Sequence, residues 1–149
     1  MFRIDSEKDL LESFRPCDRG SVTSPENVTF PLFVRDYLTW TEPSGVRTYL
    51  VYAGAESPAK TLGIAFRSDQ GRSAVSQHCE WCKSFGGSGE IGLLTAEASE
   101  RKRVGIHLCR SLNCQEKLES RSNLSGENSR MLAKKLLTEI SAFARRHLF

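Results

Sequence analysis

Apolar positions change period three times along the chain, and each change marks a different kind of element. Ser6-Glu7-Lys8-Asp9 has the S-x-x-D form of a helix start, and Leu10, Leu11 and Phe14 then share one face until Pro16 and Gly20 end the pattern. A short amphipathic N-terminal helix is predicted. Arg15 to Pro31 is polar and broken by proline and glycine with no period, which reads as a surface connection. From Phe33 to Arg67 the period becomes two, in short runs rich in Val, Tyr, Phe, Thr and Ile, broken at Glu42-Pro43-Ser44-Gly45 and again at Gly54 to Pro58. Arg47 to Ala53 and Thr61 to Arg67 are strands of an antiparallel meander, with Leu62, Ile64 and Phe66 on one face. Gly89 to Thr95 and Arg103 to Leu108 predict a further hairpin joined by the charged segment Ala96 to Lys102. Glu116 to Asn128 reads as a helix end followed by a loop. From Ser129 the period becomes helical, with Leu132, Leu136, Ile140 and Phe143 three and four residues apart and Arg145-Arg146-His147 at the negative pole of the helix dipole.

These elements predict an α+β fold in a single domain, 1–149. Within it an N-terminal helix and connection occupy 1–31, antiparallel strands 32–76, a cysteine-bearing segment 77–120 and an amphipathic C-terminal helix 125–149. No apolar run approaches the roughly 20 residues of a membrane span, so no membrane partner is expected. The first residues mix acids among apolar positions and lack the pattern of a secretion signal, which places the protein in the cytoplasm as an expectation. A formal charge of +3, from 21 basic and 18 acidic residues, is far from the strongly basic footprint of a dedicated nucleic-acid binder.

In a reducing compartment, five cysteines are better suited to metal ligation or burial than to disulfides. Cys79 and Cys82 form a C-x-x-C pair in CEWCKSFGGSGE, and Cys109 and Cys114 a C-x4-C pair in HLCRSLNCQEKLES. Two close pairs separated by a hairpin can converge on one tetrahedral ion, and thiolate ligands point to Zn2+. Lys83 and Arg110 are candidates to offset the thiolate charge, and the second pair runs into Gln115 to Ser120, which places Cys114 near a helix start. A knuckle, a hairpin and ligands at a helix start make a treble clef. With four cysteines such a site has no open position and is structural. A redox reading of C-x-x-C would need a strand and long helix of a parallel-sheet unit, and would leave Cys109 and Cys114 unused. His78 and His107 adjoin the pairs but stay outside the ligand set, and Cys17 stands alone. No nucleophile motif or phosphate loop is present, so neither catalysis nor a small-molecule substrate is expected.

The run CEWCKSFGGSGEIGLLTAE followed by RVGIHLCRSLNC, behind strands such as TYLVYA and TLGIAFRS, resembles the elongation factor G-binding domain with a C-terminal treble-clef zinc finger found in FusB-type fusidic-acid resistance proteins. The resemblance covers about Leu38 to Leu118. It implies one structural zinc on Cys79, Cys82, Cys109 and Cys114. It also implies binding to elongation factor G and its release from the ribosome. The candidate partner surface is Trp81, Lys83 and Phe85 on the knuckle with Arg101, Lys102 and Arg103 on the hairpin tip. Packing over the metal competes with partner contact for Trp81 and Phe85, and a solvated turn competes for the basic triplet. The helical bundle that precedes this domain in the resistance proteins has only Ser6 to Phe14 in its place here, so the resemblance implies binding to elongation factor G and a free-standing role in translation, and leaves resistance open. The alternative partner is the ribosome or ribosomal RNA, with Trp81 stacking on a base and the basic residues on phosphates.

Overall fold

The computed structural model describes residues 2–54, 60–68, 77–87, 90–126 and 128–149. The chain forms two compact units, Met1–Phe66 and Arg67–Phe149. Most of the break expected at Gly54 to Pro58, the end of the 32–76 segment and Gly89 lie outside the described residues.

In the first unit, β1 (Phe2–Ile4) pairs antiparallel with β2 (Leu32–Val34), Phe2 opposite Val34. Helix α1 (Glu7–Glu12) starts where the capping pattern predicts: Ser6 Oγ accepts the Asp9 amide at 3.2 Å, satisfying one of the orphan donors of the first turn. A single turn, α2 (Pro16–Arg19), follows, with proline at the position that has no amide to lose. Strands β3 (Tyr37–Thr41) and β4 (Arg47–Ala53) pair antiparallel with Trp40 opposite Tyr49, and β5 (Thr61–Ser68) lies on the other side of β4. The turn between β3 and β4 uses Gly45 at a φ of 75°, which a side chain would strain.

Ile4, Leu10, Phe14, Val34, Tyr49 and Val51 make the core of this unit, with Trp40 against them. Phe14 meets Trp40 and Tyr49 edge-on, with ring centroids 6.0 and 5.9 Å away. Its ring can lie there because position 63 is glycine: a Cβ on Gly63 would stand 2.7 Å from the Phe14 ring. The Gly63 amide donates to the Ser13 carbonyl at 2.8 Å, and the Ser13 and Thr61 hydroxyls are 2.8 Å apart, so the end of α1 is fastened to β5. The 15–31 segment is held by polar handles of aromatic residues. Trp40 Nε1 donates to the Thr23 carbonyl at 2.7 Å and Tyr49 Oη to the Ser21 carbonyl at 2.8 Å.

In the second unit, a two-residue pair β6 (Gln77–His78) and β7 (Phe85–Gly86) brackets the first cysteines, His78 opposite Phe85. The long hairpin is β8 (Ile91–Ser99) with β9 (Lys102–Cys109), Leu94 opposite Ile106, and a bulge between Glu97 and Ser99. The strands therefore extend further than the predicted hairpin, and the tip is Glu100-Arg101 rather than Ala96 to Lys102. Arg67 and Ser68, at the end of β5, pair with Thr95 and Leu94. Helix α3 (Cys114–Ser125) closes on Gly126 at a φ of 76°, the left-handed residue that commonly ends helices. It runs on where a loop was predicted after its first turns; its outer face is almost wholly polar, so no apolar stripe marks its length. In α4 (Ser129–His147), Leu132, Leu136, Ile140 and Phe143 are all buried, as the spacing predicts, and Asn128 Oδ1 caps the Arg130 amide at 2.9 Å. Among the described residues no helix is long and apolar enough to cross a membrane.

Candidate metal centre

Each cysteine pair is set by backbone geometry that its own sequence supplies. In the first, the Lys83 amide donates to the Cys79 carbonyl and the Cys79 amide to the Ser84 carbonyl, both at 2.9 Å, which folds 79–84 into a tight knuckle. Lys83 takes a left-handed φ of 64° to make that turn. The Cys82 amide points at Cys79 Sγ at 3.5 Å, and the Glu80 amide donates to the His107 carbonyl at 3.0 Å, which ties the knuckle to β9. In the second pair, Cys109 ends β9, and Leu112 at a φ of 54° turns the chain so that Cys114 opens α3. A thiolate there meets the free amides and positive pole of the helix start.

The four sulfurs converge. Cys79, Cys82, Cys109 and Cys114 are all buried, and their Sγ atoms lie within 4.8 Å of one another. Cys79 Sγ is 3.7 Å from Cys114 Sγ, and Cys82 Sγ is 3.6 Å from Cys109 Sγ. A disulfide needs about 2.05 Å. A tetrahedron of sulfurs at the usual Zn–S distance of about 2.3 Å has edges of about 3.8 Å, so the spacing fits a four-thiolate zinc and not a redox bond. Cys17 is exposed and apart.

Packed this closely, the thiols shift one another's acidity in opposite directions. Hydrogen bonds from Cys109 and then Cys114 pull Cys79 down to about 6. The same two, in the same order, pull Cys82 far below the thiol range. At Cys109 the bond with Cys114 pulls down but is outweighed by Cys79 and Cys82, and the group rises. Cys114 is pushed up by Cys109, then Cys79 and Cys82, and by burial. Four thiols this close cannot all ionise unaided, and a divalent cation is what would let them.

Lys83 and Arg110 are the cations adjacent to the ligands in sequence. The Lys83 ammonium donates to the Glu80 carbonyl, and the Arg110 guanidinium lies across Gly92 and donates to Ser68 Oγ at 2.9 Å. Two residues of α3 that the sequence reading missed face the site. Lys117 Nζ donates to Cys109 Sγ at 3.2 Å, and Arg121 Nη2 donates to the Cys82 carbonyl at 2.9 Å. Their spacing was a usable signal, since both fall on the helical face of Cys114.

The candidate partner residues fall into different settings. Trp81 is 6% exposed and packs edge-on against Phe143, with centroids 6.0 Å apart. Phe85, beside the His78 ring, is 74% exposed, and Lys83 is exposed. Arg101, Lys102 and Arg103 are exposed at the hairpin tip, Arg103 within 3.6 Å of Glu97. The tip residues lie four to six positions along β9 from His107, where the knuckle is tied, roughly 13–20 Å. The two groups are therefore separate patches of one unit.

A C-x-x-C knuckle, a hairpin, and a last ligand borne on the first turn of a helix define a treble-clef zinc finger. The chain belongs to the FBP C-terminal treble-clef zinc-finger family, whose model matches residues 9–146. It is similar in fold to the structure of the fusidic acid resistance protein FusC, with a TM-score of 0.58 and 20% identity, covering 84% of this chain and 57% of that one. This chain thus spans little more than half of FusC. No curated protein matches it.

Proposed function

We propose that the protein is a non-catalytic cytoplasmic binding module: Cys79, Cys82, Cys109 and Cys114 hold one Zn2+, and the finger they stiffen docks on elongation factor G and favours its release from the ribosome. The observation that carries this reading is the family match over residues 9–146. The four sulfurs complete a tetrahedral shell, which leaves no position for water or substrate and supports a structural role. Release without bond-making requires only that the module bind the factor more tightly in its departing conformation than in its ribosome-bound one.

Phe85 is the proposed anchor, since a large exposed ring is the kind of group that interfaces bury, and Lys83 on the same knuckle is a further contact. Trp81, packed on Phe143, stiffens the knuckle, and Arg101 to Arg103 form a second contact. The second reading, ribosomal RNA, draws on charge: residues 67–149 carry fourteen basic and nine acidic side chains, a net +5, against −2 for residues 1–66. Capture assays with purified elongation factor G and with bare ribosomes separate them. Factor capture that survives moderate salt and falls with Phe85→Ala supports the first reading. Capture of ribosomes alone, lost as salt rises and weakened by removing the basic triplet, supports the second.

A further inference from the structure

Four thiolates around one Zn2+ leave a net charge of about −2. Here all four sulfurs are buried, so water does little to offset that charge and nearby donors must. Of the cations nearest in sequence, Lys83 donates to the Glu80 carbonyl and Arg110 to Ser68 Oγ. Lys117 is different. It lies three residues after Cys114 on α3, and its Nζ stands 3.2 Å from Cys109 Sγ. Arg121, one turn later, fastens the same helix face to the knuckle through the Cys82 carbonyl and, at 3.3 Å, Ser84 Oγ. The helix that supplies one ligand thus also supplies a cation to another, and Arg121 fixes the helix rotation that aims it.

We infer that Lys117 is a charge-compensating residue of the finger: its ammonium donates to the Cys109 thiolate of the zinc-loaded site, slows loss of the ion and makes Cys109 less nucleophilic than its fellow ligands. Lys117 is a positioning residue and not a ligand. The inference rests on the zinc reading above and is independent of the partner. A charge-assisted hydrogen bond to sulfur lowers the energy of the lone pair that would attack an electrophile. Outer-shell partners of metal ligands commonly matter tenfold to a hundredfold in metal affinity.

The test uses the full chain loaded with zinc, and in parallel with cobalt. Lys117→Met keeps the length of the side chain and removes its charge; Lys117→Arg keeps the charge. The expected result is zinc transfer to a competing chelator about tenfold faster in Lys117→Met and close to wild type in Lys117→Arg. Iodoacetamide mapped by mass spectrometry should shift towards Cys109 in Lys117→Met, and the cobalt–thiolate charge-transfer band should move to lower energy. An unchanged release rate and alkylation order would overturn the inference, and so would faster release with all four sulfurs alkylated evenly, the mark of a loosened fold. Should Lys117→Met fail to fold, the wild-type chain decides: Cys109 must react more slowly than Cys82, and the reverse order sinks the idea. Wild type that takes up no zinc would overturn the metal reading and this inference together.

Discussion

The two compact units reach order by different means. Residues 1–66 close around apolar and aromatic side chains, Phe14 edge-on to Trp40 and Tyr49, which are tilted against each other, packed with Ile4, Leu10 and Val51. In residues 67–149 the knuckle from Gln77 to Gly86 has a β-pair of only two residues, and four buried thiols stand where it meets the end of β9 and the start of α3. Burying a Leu or Phe side chain contributes about 1.5–3 kcal/mol each, spread over many contacts. One structural zinc in a small finger contributes on the order of 10 kcal/mol at a single point. The first unit should therefore fail gradually under mutation, and the finger all at once.

The widest separation between them should come from the ligands. Cys114→Ala should lower zinc content from one ion per chain to near zero, read by elemental analysis, and cost the finger most of that 10 kcal/mol on the scale of zinc-finger peptides. Phe14→Ala should destabilise the chain by about 3–5 kcal/mol in denaturant titration while zinc content stays at one per chain. Coupled loss of metal in that variant would break the comparison. Gly63→Ala should cost about 1–3 kcal/mol, because the new methyl would meet the Phe14 ring and either the ring or α1 must move. Smallest of all, Ser6→Ala should cost about 1 kcal/mol through the lost cap on Asp9, with zinc again unchanged.

What the sequence made legible was local. The cap at Ser6, the helical spacing from Leu132 to Phe143 and the two cysteine spacings each depend on residues within a few positions of one another. They reappear in the structure at the expected places. Strand β1 was not legible, since three residues give too little alternation to see and their partner lies some thirty positions on, at Leu32–Val34. The connection 15–31 reads as polar surface, yet Trp40 and Tyr49 hold it through side-chain hydrogen bonds to its carbonyls, which no local pattern announces. Helix α3 was hidden by its polar composition, and with it Lys117 and Arg121. Sequence proximity pointed to Lys83 and Arg110 as charge partners of the site, and the helical face of Cys114 adds Lys117 and Arg121.

Hydrogen exchange read by mass spectrometry, before and after removal of metal by a chelator, tests most directly whether one ion orders the finger and packing orders the rest. The account predicts that amides from 79 to 120 lose protection when the metal leaves while those of β3 and β4 keep theirs. Protection retained across 79–120 in a chain shown to be free of metal would contradict it.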